Sequence, residues 1–280
     1  MITHKEPGMA SALTIGSQAH KELFCRFFLD THTVFDPAAI AWPVLDEDSL
    51  ARLRSLPVWA EAVETERMST CTVEAWAPLE TDPLIRQAVA LQGYEEARHA
   101  ALIQGLVTHY GIALPPLKTP QPPAYPEWAF MRLGYSECFD AFFTFALFAI
   151  ARDSGFFPAA LVEKFDLVMQ EEARHILFFV NWEAYKQATR PWWERPRYVW
   201  RGILGRSLQM WIRLQSALHT RGNTDFTLKG HQAIAVDISP RSFLERCLLE
   251  NARRLESYDA RLLRPRLVPT LVRLVSRVLP

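Results

Sequence analysis

Apolar residues recur at helical spacing through most of the chain, and prolines cut the pattern into segments. An apolar stretch over His20–Leu29 predicts a first helix, and Asp46 is a cap for a short second one. From Pro57 to Ala77 the spacing predicts a longer helix that stops at Pro78. Thr81-Asp82-Pro83 is a start signal, a capping side chain followed by proline in the first turn. The helix it opens runs to about Tyr110, with Gly111 as its stop. Residues 114–126 contain six prolines and must form an extended crossover. A third long helix is expected from about Glu127 to Ser154, and a fourth from near Pro158 to about Lys186. The centre of the chain is therefore two helical hairpins joined by one long connection. Further helices are expected over 195–219 and 240–263. The fold class is all-α, with N-terminal lead-in helices over 1–56, a four-helix bundle over 57–186 and a C-terminal helical extension over 187–280 packed on it.

Composition supports that class. The 280 residues include 11 glycines against 19 prolines, too few glycines for many tight turns or a phosphate-cradling loop. Lysine plus arginine and aspartate plus glutamate each number 31, so the basic excess of a nucleic-acid binder is missing. Cys25, Cys71, Cys138 and Cys247 lie far apart and form no metal or disulfide pattern, which predicts reduced thiols in a cytoplasmic protein. Residues 1–20 hold no continuous apolar run of a secretory leader. The run Cys138–Ala151 is 14 residues with Asp140 inside it, too short to span a bilayer. Five of the nine tryptophans fall within 182–211 and are expected to pack the added helices on the bundle. Residues 260–280 carry Arg261, Arg264, Arg266, Arg273 and Arg277 and no acid. Docking of this apolar, basic tail on the bundle is the primary expectation, and contact with an anionic membrane surface the secondary one.

Chemistry enters with a repeat. Glu95-Glu96-Ala97-Arg98-His99 recurs 76 residues later as Glu171-Glu172-Ala173-Arg174-His175, each copy on the second helix of its hairpin. Positions i and i+3 share a helix face, so Glu96 and His99 point one way, as do Glu172 and His175. Both pairs fall on apolar stripes; Phe165, Val168, Met169, Ile176 and Phe179 surround the second. Ionisable groups on a buried face are costly unless they are paired or bind metal, so two matched copies point to a metal site.

These motifs resemble those of the ferritin-like dinuclear carboxylate proteins, in which two helices each give Glu-x-x-His and the other two each give one Glu. The acid-Glu-x-Arg-His form is similar to that of the bacterial multicomponent monooxygenase hydroxylases. The resemblance covers about residues 57–186. It implies one carboxylate on the first helix of each hairpin, level with the Glu-x-x-His of the second. Travelling from mid-helix to the turn and back takes about 30–35 residues at a rise of 1.5 Å. Glu137 lies 35 residues before Glu172 and shares a face with Leu133, Gly134, Ala141, Thr144 and Phe148, with Asp140 as the alternative. In the first hairpin Glu61, Glu64 and Glu66 all fall in range. Glu66, on a face with Trp59, Ala62, Val63, Ser69, Thr70 and Val73, is preferred.

The resulting ligand set is Glu66, Glu96, His99, Glu137, Glu172 and His175. By resemblance, Glu96 and Glu172 are the bridging, catalytic carboxylates. Each metal then takes one terminal Glu and one His, Glu95 supports His175, Glu171 supports His99, and Arg98 and Arg174 neutralise these two acids. Four carboxylates balance two divalent cations, and an oxygen-rich set with two imidazoles suits two iron ions, with manganese next. The expected activity is that of an O2-activating oxidase or monooxygenase acting on a small organic substrate. The alternatives are a ferroxidase or other iron-handling protein, and a non-catalytic ferritin-like scaffold. Phe139, Phe142, Phe143, Phe145 and Phe148 either line a substrate pocket or fill the core. No cysteine cluster or dinucleotide fingerprint is present, so electrons would come from an external donor or from the substrate. The sequence leaves substrate, donor and oligomeric state open.

Overall fold

A computed structural model describes residues 13–218 and 238–279. Residues 1–12, within the segment read as lacking a leader, lie outside the described residues. So do residues 219–237 of the C-terminal extension, and Pro280 at the end of the basic tail. Among the described residues the regular elements are helical, as the all-α reading requires. They are α1 (Gln18–Asp30), α2 (Glu47–Ser55), α3 (Trp59–Trp76), α4 (Pro83–His109), α5 (Pro126–Asp153), α6 (Ala159–Val162), α7 (Asp166–Thr189), α8 (Arg195–Leu218), α9 (Pro240–Glu256) and α10 (Leu267–Ser276).

The boundaries follow local chemistry. Asp82 accepts from the amides of Leu84 and Ile85 at 3.0 and 3.2 Å, satisfying two otherwise orphaned donors at the start of α4. Pro83 and Pro126 occupy first-turn positions, where a missing N–H costs nothing. Gly111 and Gly155, just beyond α4 and α5, adopt φ of 60° and 65°, which a side chain resists.

Two expectations are corrected. The fourth bundle helix is not continuous from Pro158: α6 passes through a 3-10 turn at Glu163–Phe165 before α7 begins. No proline or glycine marks that break. The helix expected over 240–263 ends at Glu256, because Arg264 donates to the carbonyls of Leu255, Tyr258, Asp259 and Leu262 and holds the following turn.

α3 and α4 pair as one hairpin and α5 and α7 as the other; α3 against α5 and α4 against α7 close the bundle. One apolar zone contains Leu102, Leu106, Phe145, Ala173 and Leu177. The other contains Val89, Met131, Phe178 and Trp182. The repeated motifs lie between them. α1 packs on α4 and α7, α8 on α5 and α7, and α9 on α5. The tail docks through α10, whose Val268 and Val272 join Phe139, Phe142 and Phe143 in a third core cluster. Those phenylalanines are therefore core residues. α5 is long and apolar enough to cross a membrane, but 67% of its apolar window is buried inside the bundle. The tryptophan expectation is also corrected. Trp182 is buried, whereas Trp192, Trp193, Trp200 and Trp211 are exposed.

Gly134 of α5 lies against the Phe179 ring of α7. A methyl group there would fall within the Phe179 ring. Gly134→Ala must push that buried ring aside, and overpacking of this kind costs about 1–3 kcal/mol. Thermal denaturation of Gly134→Ala is expected to show that loss with helical circular dichroism unchanged.

Candidate metal centre

All four bundle helices contribute to one buried polar cluster. Glu66 comes from α3, Glu96 and His99 from α4, Glu137 from α5, and Glu172 and His175 from α7. Ligand-type atoms of Glu66, Glu96, His99 and Glu172 lie within 4.8 Å of one another, as do those of Glu96, Glu137 and His175. Glu96 belongs to both groups. Glu172 spans them, with one oxygen 3.3 Å from His99 Nδ1 and the other 4.0 Å from His175 Nδ1. Glu96 Oε1 is 3.2 Å from His175 Nδ1, and Glu66 Oε2 is 3.6 Å from His99 Nδ1. The two imidazole centroids are 5.6 Å apart.

The rings are oriented from behind. His99 Nε2–H donates to Glu171 at 2.9 Å, and His175 Nε2–H donates to Glu95 at 2.9 Å. An ionised carboxylate only accepts, which fixes the proton on Nε2 and leaves Nδ1 free to act as a donor of its lone pair. Each supporting acid is matched by the arginine of the opposite motif. Arg174 binds Glu95 at 2.7 Å, and Arg98 binds Glu171. Nδ1 of both histidines and Oε2 of Glu137 are buried without a hydrogen-bond partner in the described structure. Two imidazole lone pairs aimed at four carboxylates fit a pair of divalent cations, because the cations would satisfy these atoms and the charge together.

The protonation behaviour carries the same message. Burial pushes Glu66 up to about 8, although His99 pulls against it. Burial and the neighbouring Glu96 raise Glu137 well above the carboxylate range. Burial opposes charge on both histidines, yet Glu171, Glu172 and Glu66 raise His99, and Glu96 and Glu95 raise His175, well above the usual imidazole value. Glu95 is held down at about 2 against its burial by His175 and Arg174. Without metal, protons therefore occupy a centre that demands positive charge.

Three sequence candidates fall elsewhere. Glu64 accepts from the Lys118 amide at 2.8 Å on the surface, and Glu61 is exposed at the rim of a cavity. Asp140 pairs with Arg213 and with the Ser136 hydroxyl. Two participants were missed. Gln92 donates to Glu96 and Glu137, each at 3.4 Å, and its position four residues before Glu96 on the same helix face was the available signal. His32 contacts Glu95 at 2.5 Å from the link after α1, where no periodic pattern points to it. That link also supplies Thr31 to Arg174 and the Thr33 carbonyl to Arg98, both at 2.9 Å, so the lead-in segment covers this side of the centre.

Beside Glu66 lies a cavity of about 440 Å³, a size suited to a small organic molecule. Its walls are mainly apolar, with Trp59, Phe148, Phe165 and Met169 among them, and Ser136, Asp140 and Arg213 add one polar patch. Of the five phenylalanines considered for a pocket, Phe148 alone is in its wall. Comparison with protein-family models, curated proteins and solved structures finds no match for this chain.

The shifts set a pH signature. Folded His99, His175 and Glu66 retain protons that the unfolded chain has lost, so metal-free stability falls as pH rises, from the ordinary carboxylate value to about 8 for Glu66 and from about 6.5 upward for the two histidines. Glu95 acts in the opposite window: its contribution is present above the ordinary carboxylate value and is lost as pH falls toward about 2. A bound metal must displace the protons on its ligands, so its stabilisation grows with pH. Melting curves between about pH 6 and pH 9, with and without Mn2+, are expected to diverge as pH rises. A gap that stays constant would contradict metal binding at these groups.

Proposed function

We propose that this chain is a ferritin-like dinuclear carboxylate protein acting as an O2-dependent oxidase or monooxygenase on a small, largely apolar organic substrate. The observation that carries the reading is the position of the cavity: it meets the cluster at Glu66, a partly accessible carboxylate. An iron-storage site needs no such chamber. A pair of ferrous ions at this centre would supply electrons to O2 and open coordination positions for it.

The chain's own residues have distinct tasks in this account. Glu66 and His99 would hold one metal and Glu137 and His175 the other, and Glu96 and Glu172, which lie near both histidines, would contribute to both. Glu95 and Glu171 hold the imidazole rings with Nδ1 inward, and Arg174 and Arg98 pair with those acids. Trp59, Phe148, Phe165 and Met169 exclude water and present the substrate's apolar body toward Glu66. Ser136, Asp140 and Arg213 offer hydrogen bonds to a polar substituent. An external donor, or the substrate itself, provides the electrons.

The test is O2 uptake by anaerobically reduced, iron-loaded protein with medium-chain hydrocarbons and alkyl aromatics as trial substrates. Uptake coupled to a product that has gained oxygen or lost hydrogen is expected. Glu66→Ala should lose metal and activity, and Glu64→Ala should keep both. If uptake always stops at the amount that oxidises the ferrous iron supplied, the ferroxidase alternative replaces this reading. If no metal is retained, the scaffold alternative replaces it.

A further inference from the structure

α8 turns an unusual face to solvent. Trp200, Ile203, Leu204, Trp211 and Leu214 fall at i, i+3, i+4, i+11 and i+14, along one side of the helix. Trp200 and Trp211 are 64% and 56% exposed, and Trp192 and Trp193 just before the helix are 75% and 64% exposed. The opposite side of α8 is anchored. Arg206 pairs with Glu183 on α7, and Arg213 pairs with Asp140 on α5. The apolar stripe is therefore not a core face that has failed to find the bundle.

We propose that this face docks on an anionic lipid surface. Two features select that occupant. Indole rings beside aliphatic side chains on one exposed helix face are the composition of interfacial helices. Charge is the second. α8 holds no acid; of its five arginines, Arg201, Arg206 and Arg213 pair with Glu127, Glu183 and Asp140, and Arg195 and Arg197, which form no ion pair among the described residues, leave this helix a net positive charge. Docking of two copies through this face about a two-fold axis would bring like charges together, whereas anionic headgroups complement them. The same helix gives Ile212 and Arg213 to the cavity wall, so the docked face adjoins the chamber that would receive an apolar molecule. The proposal itself does not depend on what metal the centre holds.

The experiment is sedimentation of the full chain with phosphatidylcholine vesicles, with and without about one third phosphatidylglycerol. Binding to the anionic vesicles, with a blue shift of tryptophan emission, is expected, and added salt should weaken it. Trp200→Ser with Trp211→Ser should reduce partitioning at least about tenfold while melting is unchanged, because both side chains are exposed. Arg197→Glu should weaken binding to the anionic vesicles specifically. A wild-type chain that stays in the supernatant would overturn the proposal, as would a double variant that binds equally well. Concentration-dependent self-association abolished by the double variant, without vesicle binding, would assign the face to a second copy. Loss of binding only on changing Leu274, Val275 and Val278 of α10 would move the surface to the tail.

Discussion

The structure depends on neutralising buried negative charge. Glu66, Glu96, Glu137 and Glu172 meet at the centre of the bundle, with Glu95 and Glu171 directly behind them. Ionised carboxylates in such surroundings are unfavourable by several kcal/mol each unless positive charge accompanies them. Arg98 and Arg174 balance the outer two acids. The inner four have two histidines and, beyond those, only protons or metal ions. The unpartnered Nδ1 atoms face this deficit, so these buried Glu and His groups could hold metal ions.

The same constraint specifies how the hairpins meet. Glu95 on one hairpin is satisfied by His175 and Arg174 on the other, and Glu171 by His99 and Arg98. A slip of either helix by one turn would separate both sets and strand buried charges. Apolar packing drives the hairpins together, but this reciprocal exchange selects the register. Segment 28–33 then finishes the shell, with the Phe28 carbonyl, Thr31, His32 and the Thr33 carbonyl reaching the arginines and Glu95.

Much of this was legible in the sequence because it rests on periodicity. Proline and glycine punctuation defined the long helices, and the repeated pentapeptide pointed to the two helices that face each other. The choice of Glu66 followed from its apolar face, and the structure brings Glu66, not Glu61 or Glu64, into the cluster. What was illegible rests on irregular chain or on surface geometry. His32 lies in a link without a pattern. The break before α7 carries no breaker residue. The exposed tryptophans of α8 have the composition of a packing face, and only the docking of α8 through Arg206 and Arg213 turns them outward.

The cavity and the charge cluster share Glu66, so the cavity reaches the cluster at one carboxylate on α3. The central claim is that two cations bind between the inward-facing imidazoles. Anomalous diffraction from crystals loaded anaerobically with ferrous iron tests it most directly. Two peaks are expected, one within bonding distance of His99 Nδ1 and one of His175 Nδ1, bordered by Glu66, Glu96, Glu137 and Glu172. No peak within the cluster, or iron bound instead through Nε2 beside Glu95 and Glu171, would contradict it.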